Sequence, residues 1–186
     1  MIGHNGPFGG SLKKEIFVKD GYLVYEQYHP INDDFTFGRY FINEEKYNEM
    51  SAFAVKDNDI LISCSGTMGK VAIVPKGHKK GIINQALLRL RPNLEIVNPL
   101  FVRIYLEQKA IQSEYFANQE GAAIQNVMSV SELKQILFPN LTLDEQAEIV
   151  SQIEQEQQLV TANKQLISIF EQKIKDKING VWGEVE

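Results

Sequence analysis

Few side chains in this sequence stand where they could carry out a reaction. The three histidines are His4, His29 and His78, and none lies at metal-ligand spacing from another His, Cys or acid pair. Cys64 follows an apolar strand-like run, where a lone thiol packs as a small hydrophobe. Asp33-Asp34 and Glu44-Glu45 are adjacent pairs whose members point to different faces of regular structure, so each pair reads as the solvated start of a turn or helix. Ser65-Gly66-Thr67-Met68-Gly69-Lys70 has the glycine-and-lysine flavour of a phosphate loop. It lacks both the four-residue gap between glycines and the hydroxyl residue after the lysine. A methyltransferase needs a loop for S-adenosylmethionine and a nuclease needs clustered metal-binding acids, and the sequence offers neither. These absences argue against an independent enzyme and against a bound cofactor or metal in this chain.

What the sequence does offer is a set of recognition side chains. Lys70, Lys76, Lys79, Lys80, Arg89 and Arg91 fall within residues 61–94, a window with no acidic residue. Asn84 and Gln85 lie in the same window, and Gln125 and Asn126 form a second amide pair. Lysine grips phosphate; amides pair bidentately with adenine, and arginine with guanine. These eight residues of the basic window are the candidate nucleic-acid contacts, with the lysines on phosphate and Asn84, Gln85 or Arg89 on bases. The net charge of −5 does not contradict this. Residues 1–140 hold 15 basic and 15 acidic side chains, and residues 141–186 hold 4 and 9, so the whole deficit lies in the last quarter. An acidic total with a local basic face is compatible with gripping a polyanion. The same residues also read as turn formers, buried hydrogen-bonders and a solvated lysine-rich hairpin.

Two elements must position these groups. Residues 1–140 mix short β-like runs with Gly and Asn turns. Tyr22–Tyr25, residues 59–63, residues 70–74 and residues 82–91 read as strands. In the last of these, Arg89 and Arg91 alternate with Leu88 and Leu90 and so fall on opposite faces from them. Asn43 can cap a short helix to Met50, and Asn98-Pro99 opens a helix predicted to reach about Asn118. The expectation is a mixed α+β domain with a curled, largely antiparallel sheet. Residues 141–186 form the second region, most of it one long helix. Its start carries a capping box, Thr142-Leu143-Asp144-Glu145, and Ser129-Val130-Ser131-Glu132 is another just upstream. Along the helix, Ile153, Val160, Ile167 and Ile174 recur every seven residues, one regular coiled-coil position. The positions three residues on, Glu156, Asn163, Phe170 and Lys177, are mostly polar; Leu159 and Leu166 widen the stripe. A narrow seven-residue stripe calls for a helical partner, and the expected partner is a second copy of the chain.

With 186 residues and a 44% hydrophobic composition, the chain is long enough to bury its own core. A single cysteine fits a reducing cytoplasm. No apolar run approaches the ~20 residues that span a bilayer, and the N-terminus lacks a signal-peptide core, so the expectation is a soluble, cytoplasmic protein without membrane association.

Five stretches, taken together and in order, resemble the target-recognition domain and helical region of type I restriction-modification specificity subunits. They are Gly6-Pro7-Phe8-Gly9-Gly10-Ser11-Leu12-Lys13; Asp59-Ile60-Leu61-Ile62-Ser63 with Ser65-Gly66-Thr67-Met68-Gly69; Gly81-Ile82-Ile83-Asn84-Gln85-Ala86-Leu87; Gly121-Ala122-Ala123-Ile124-Gln125-Asn126; and Leu137-Phe138-Pro139 with Leu143-Asp144-Glu145-Gln146. The resemblance implies a globular domain that binds half of a split double-stranded DNA target. It implies helices that act as ruler and dock for modification (methyltransferase) subunits, through which restriction subunits join. S-adenosylmethionine, ATP and Mg would then belong to those partner subunits. Such subunits usually carry two recognition domains and two helical regions, whereas this chain has one of each. The expectation is a half-length subunit working as a homodimer, or a piece of a longer one. A module that recruits a partner through its helix without touching DNA remains the alternative.

Overall fold

The computed structural model describes residues 1–7, 10–116 and 130–183, apart from the side chains of Val130 and Glu132. The predicted features at Phe8-Gly9, Gly121 through Asn126 and Ser129 lie outside the described residues. The chain divides into two compact units, Met1–Gln146 and Ala147–Glu186.

The first unit is α+β, as its sequence texture predicts. Its strands are β1 (Ile2–Asn5), β2 (Tyr22–Tyr25), β3 (Phe41–Ile42), β4 (Ile60–Ser63), β5 (Val71–Ile73), β6 (Gly81–Ile83) and β7 (Leu87–Arg91). They form two sheets: an antiparallel one in the order β1-β7-β4-β5, and a three-stranded one in the order β3-β2-β6. In the second sheet β2 runs antiparallel to β3 but parallel to β6. β4 is buried along its whole length because it has apolar neighbours on both faces. Ile60 and Ile62 join Leu88, Leu90 and Val102 in one core cluster, and Leu61 joins Leu23, Tyr25 and Leu87 in another. That double burial explains a continuous apolar run in place of an alternating one.

The single strand predicted over residues 82–91 is two strands of different sheets. The chain leaves β6, turns at Asn84-Gln85-Ala86, and enters β7. Asn84 builds the turn: its Oδ1 accepts from the Ala86 N–H at 3.0 Å and its carbonyl accepts from the Leu87 N–H at 3.2 Å. An Asx turn of this kind is a local alternative to continuing the ladder.

The helices are α1 (Tyr28–Asn32), α2 (Glu44–Glu49), α3 (Pro99–Leu106), α4 (Lys109–Ile111), α5 (Val130–Leu133) and α6 (Leu143–Trp182). Asn43 and Asn98 cap as predicted, accepting from the N–H groups of Lys46 and Leu100. The helix predicted from Asn98 to about Asn118 instead stops after Leu106, resumes as α4, and continues as a π-helical turn over Gln112–Phe116. The break leaves the Leu106 carbonyl without its helical donor. The Gln112 amide takes it at 2.7 Å and also donates to the Gly69 carbonyl at 3.0 Å.

Both arms of the capping box at the start of α6 form: the Glu145 N–H donates to Thr142 Oγ1 at 3.3 Å, and the Thr142 N–H donates to Glu145 Oε2 at 2.7 Å. One turn in, buried Gln146 accepts from the Asn98 N–H and donates to the Ile96 and Leu141 carbonyls, which fixes the helix start in the first unit. In the second unit α6 continues to Trp182. Forty residues of helix span about 60 Å. Among the described residues, no helix is long and apolar enough to cross a membrane.

Candidate nucleic-acid interface

The strand registers decide where the candidate contacts fall. β2 and β6 are parallel, so the segments after Tyr25 and after Ile83 leave the sheet at the same end; the Asn84 N–H donates to the Tyr25 carbonyl at 2.9 Å. β4 finishes there too, with Ser63 opposite Leu87 and the Cys64 N–H bonded to the Ala86 carbonyl at 2.8 Å. β1 ends opposite Leu88, and Gly6 sits so close to the Asn84 carbonyl that a Cβ would lie 1.8 Å from its oxygen. β5 starts at this end, just after Lys70. The far end holds the end of β5, the start of β6 and the end of β7.

The six cations of the basic window therefore do not form one face. Lys70 is exposed at the first end, beside the Ser65–Gly69 loop. That loop is a pinned turn: the Ser63 hydroxyl donates to the Thr67 carbonyl at 2.6 Å and accepts from the Lys70 N–H at 2.9 Å. Lys76, Lys79 and Lys80 are exposed in the β5–β6 connection at the other end. Lys79 is held there by Asp20 at 2.8 Å and lies over the Phe41 ring at 4.4 Å. Lys76 and Lys80 enter no ion pair among the described residues.

Arg89 and Arg91 share one face of β7, as the alternation predicts, but that face is not a surface. The second sheet covers it, and Arg89 is 2% exposed. Both guanidinium groups donate to the Ala54 carbonyl. Arg91 grips the buried Asp59 with two bonds, Nε to Oδ1 at 2.7 Å and Nη2 to Oδ2 at 2.6 Å. Arg89 Nε lies 3.9 Å from Asp59, an electrostatic approach too long for a hydrogen bond. Burial, and secondarily the neighbouring Arg91, hold the Arg89 pKa below its ordinary value. Arg89 as a base reader is thus corrected: it is an interior charge, and its partner Asp59 fixes the start of β4. Asn84 is likewise committed to its turn. Only Gln85, exposed at the tip of that turn, presents an unengaged amide from the predicted pair.

The sequence reading missed Gln27 and Arg39, which stand at the same end as Gln85. Gln27 follows β2, and its amide atoms lie 3.9 Å from where a Cβ on Gly66 would be. Its Oε1 is buried without a hydrogen-bond partner among the described residues, as is Oδ1 of Asn5. Arg39 leads into β3 and is exposed, with its guanidinium 4.8 Å over the Tyr40 ring. Glu26 lies nearby: burial raises its carboxyl pKa, and Arg39 and His29 oppose that rise. No cluster of basic residues marks Gln27 or Arg39 in the sequence; only the parallel β2–β6 pairing, between segments nearly sixty positions apart, brings them to Gln85.

On the helix, Val160, Ile167 and Ile174 are exposed, Ile153 is partly covered, and Val181 extends the seven-residue series. Leu159, Leu166 and Phe170 are exposed as well. Among the described residues no group of three His, Cys, Asp or Glu side chains is placed to hold a metal.

The chain thus joins an α+β unit, with polar loops at its strand ends, to a long helix with an apolar stripe. The chain belongs to the type I restriction modification DNA specificity domain family, whose model matches residues 9–172. It is 30% identical over 101 residues to the type I restriction enzyme EcoBI specificity subunit of Escherichia coli, covering 54% of this chain and 21% of that protein. It is 31% identical over 117 residues to a putative type I restriction enzyme MjaX specificity subunit of Methanocaldococcus jannaschii, covering 63% and 26%. The matched part is thus about a fifth to a quarter of those relatives' length. The fold is shared with a chain from a solved structure on complex assembly and conformational transition of the type I R-M system. The TM-score is 0.67 at 19% identity, over 94% of this chain and 40% of that one.

Proposed function

We propose that this chain recognises double-stranded DNA as the specificity element of a type I restriction-modification system. The observation that carries the reading is the family match across residues 9–172, which spans both the globular unit and most of the helix. In this reading the chain performs no chemistry itself. It directs modification subunits, and through them restriction subunits, to a two-part target in the cytoplasm, and S-adenosylmethionine, ATP and Mg are used by those subunits. Lys70, Lys76 and Lys80 contact phosphate. Two copies associate through the stripe Ile153, Val160, Ile167 and Ile174, or one copy pairs with the equivalent helix of a longer subunit.

Phosphate binding is tested by the salt dependence of affinity for a duplex of random sequence. Replacing Lys70, Lys76 and Lys80 together with Ala should weaken binding and flatten the slope of log K against log salt by about 0.9 for each phosphate no longer neutralised. Because Lys70 is at one strand end and the other two are at the opposite end, Lys70→Ala and the Lys76→Ala, Lys80→Ala pair should be measured separately. Binding that ignores both sets would remove the lysines from the interface.

A further inference from the structure

We infer that the strand-end edge carrying Gln27, Arg39 and Gln85 is where base edges are read, with Arg39 on guanine and Gln27 on adenine. The inference rests on the DNA-binding reading above and names the residues of that function which determine sequence preference.

Four observations converge on this edge. The parallel register of β2 and β6 puts the segment with Gln27 beside the turn with Gln85. The antiparallel register of β3 on β2, extended by the Val24 N–H bond to the Tyr40 carbonyl at 2.9 Å, brings Arg39 to the same place. Arg39 is exposed, but its guanidinium is already oriented by the Tyr40 ring beneath it; a preset planar fork suits the two acceptors of guanine. Among the described residues Gln27 Oε1 is an acceptor without a donor, at the side of the exposed Gly66 turn. Turned outward about its side-chain torsions, this amide would match the donor and acceptor of adenine in the major groove.

The rigid parts of this edge are distinct from its reading parts. Asn84 closes the turn and Gly6 admits the close packing of the first strand's end. The Ser65–Gly69 loop is tied from inside by Ser63 and Gln112. Gln27, Arg39 and Gln85, like Lys70, are side chains on this frame with no hydrogen bond or ion pair to lose among the described residues. Base-reading groups need this combination, because exchanging them alters preference without disturbing the fold.

The test is selection of bound sequences from a pool of randomised DNA duplexes, using the full chain and the variants Arg39→Ala, Gln27→Ala, Gln27→Glu and Gln85→Ala. The parent should enrich a defined motif. Arg39→Ala should lose discrimination at one G·C pair and Gln27→Ala at one A·T pair, each by about 5- to 100-fold. Gln27→Glu keeps the acceptor but not the donor, so its preference should move from adenine toward cytosine. Thermal midpoints should stay at the parent's value, because these side chains hold nothing together. Variants that all enrich the parent's motif would overturn the inference and leave DNA recognition standing. A parent that binds duplex yet enriches no motif would also overturn it. A parent that binds no duplex at all would take the DNA-binding reading down with it.

Discussion

The two units of this protein solve the problem of apolar surface in opposite ways. In Met1–Gln146 the large aliphatic side chains of β2, β4, β6 and β7 are almost wholly enclosed, and even a guanidinium and a carboxylate are taken inside. Along the second unit, Leu159, Val160, Leu166, Ile167, Phe170, Ile174 and Trp182 are each at least half exposed. The globular unit carries its own core. The helix gains only what its backbone bonds and polar side chains supply, so its apolar stripe has something to gain from a partner.

The sharpest way to break that contrast is to attack the enclosed charge. Asp59 is the acid that Arg91 grips and Arg89 approaches, and it also accepts from the Lys56 N–H at 2.8 Å. Asp59→Ala leaves Arg89 buried among other positive charge, a defect of about 3–5 kcal/mol. The melting midpoint of the globular unit should fall by roughly 10 °C, while the helical circular-dichroism signal of the second unit should persist. A midpoint unchanged within a degree or two would show that the arginines are satisfied without the acid.

The complementary experiment attacks the exposed stripe. Val160→Glu combined with Ile167→Glu removes two branched side chains that would contribute about 1.5–3 kcal/mol each if buried. Light scattering across a concentration series should show the association midpoint displaced by two orders of magnitude or more, with the melting of the globular unit unaltered. A parent chain that stays monomeric at high concentration, alone and with a modification subunit, would show that the stripe is not covered by a second copy.

The smallest effect belongs to the start of α6. Thr142→Ala removes one arm of the capping box and should cost about 1 kcal/mol, seen as faster hydrogen exchange at the amides of residues 143–146. The Thr142 N–H, and then its hydroxyl, hold the Glu145 carboxyl below the usual carboxylate range. Since the folded value is the lower one, this contribution is present above the ordinary carboxylate pKa and disappears as pH falls through the folded value. The parent's helix start should fray in acid, and Glu145→Gln should remove the part of that pH dependence which the capping carboxyl supplies.

These contrasts also explain what was legible in the sequence. The capping box, the Asn43 and Asn98 caps and the seven-residue stripe depend on neighbours within a few positions, so they could be read directly. The α+β character and the alternation of Arg89 and Arg91 with leucines could be read as well. What the alternation could not tell was that a second sheet covers the arginine face. Residues 82–91 read as one strand because Leu88 and Leu90 alternate with Arg89 and Arg91; the Asx turn at Asn84 rests on one side-chain and one backbone bond that the alternation does not announce. β1 was invisible, since Ile2-Gly3-His4-Asn5 has no strand pattern and is held by pairing with residues nearly ninety positions away. The basic window was contiguous in sequence but is divided in space, because a strand only three residues long separates Lys70 from the connection bearing Lys76.

That distant pairing also sets a schedule for synthesis. β1 can take its place only beside β7, so during synthesis its residues must wait for Arg91 to follow them out. At about 5–20 residues per second the wait is roughly 5–20 seconds, longer when the exit tunnel is included. During that interval β2 likewise lacks β6, and neither sheet can close. The globular unit is therefore exposed to chaperones and proteases for much of its own synthesis, and it becomes resistant late, when one short segment joins both sheets.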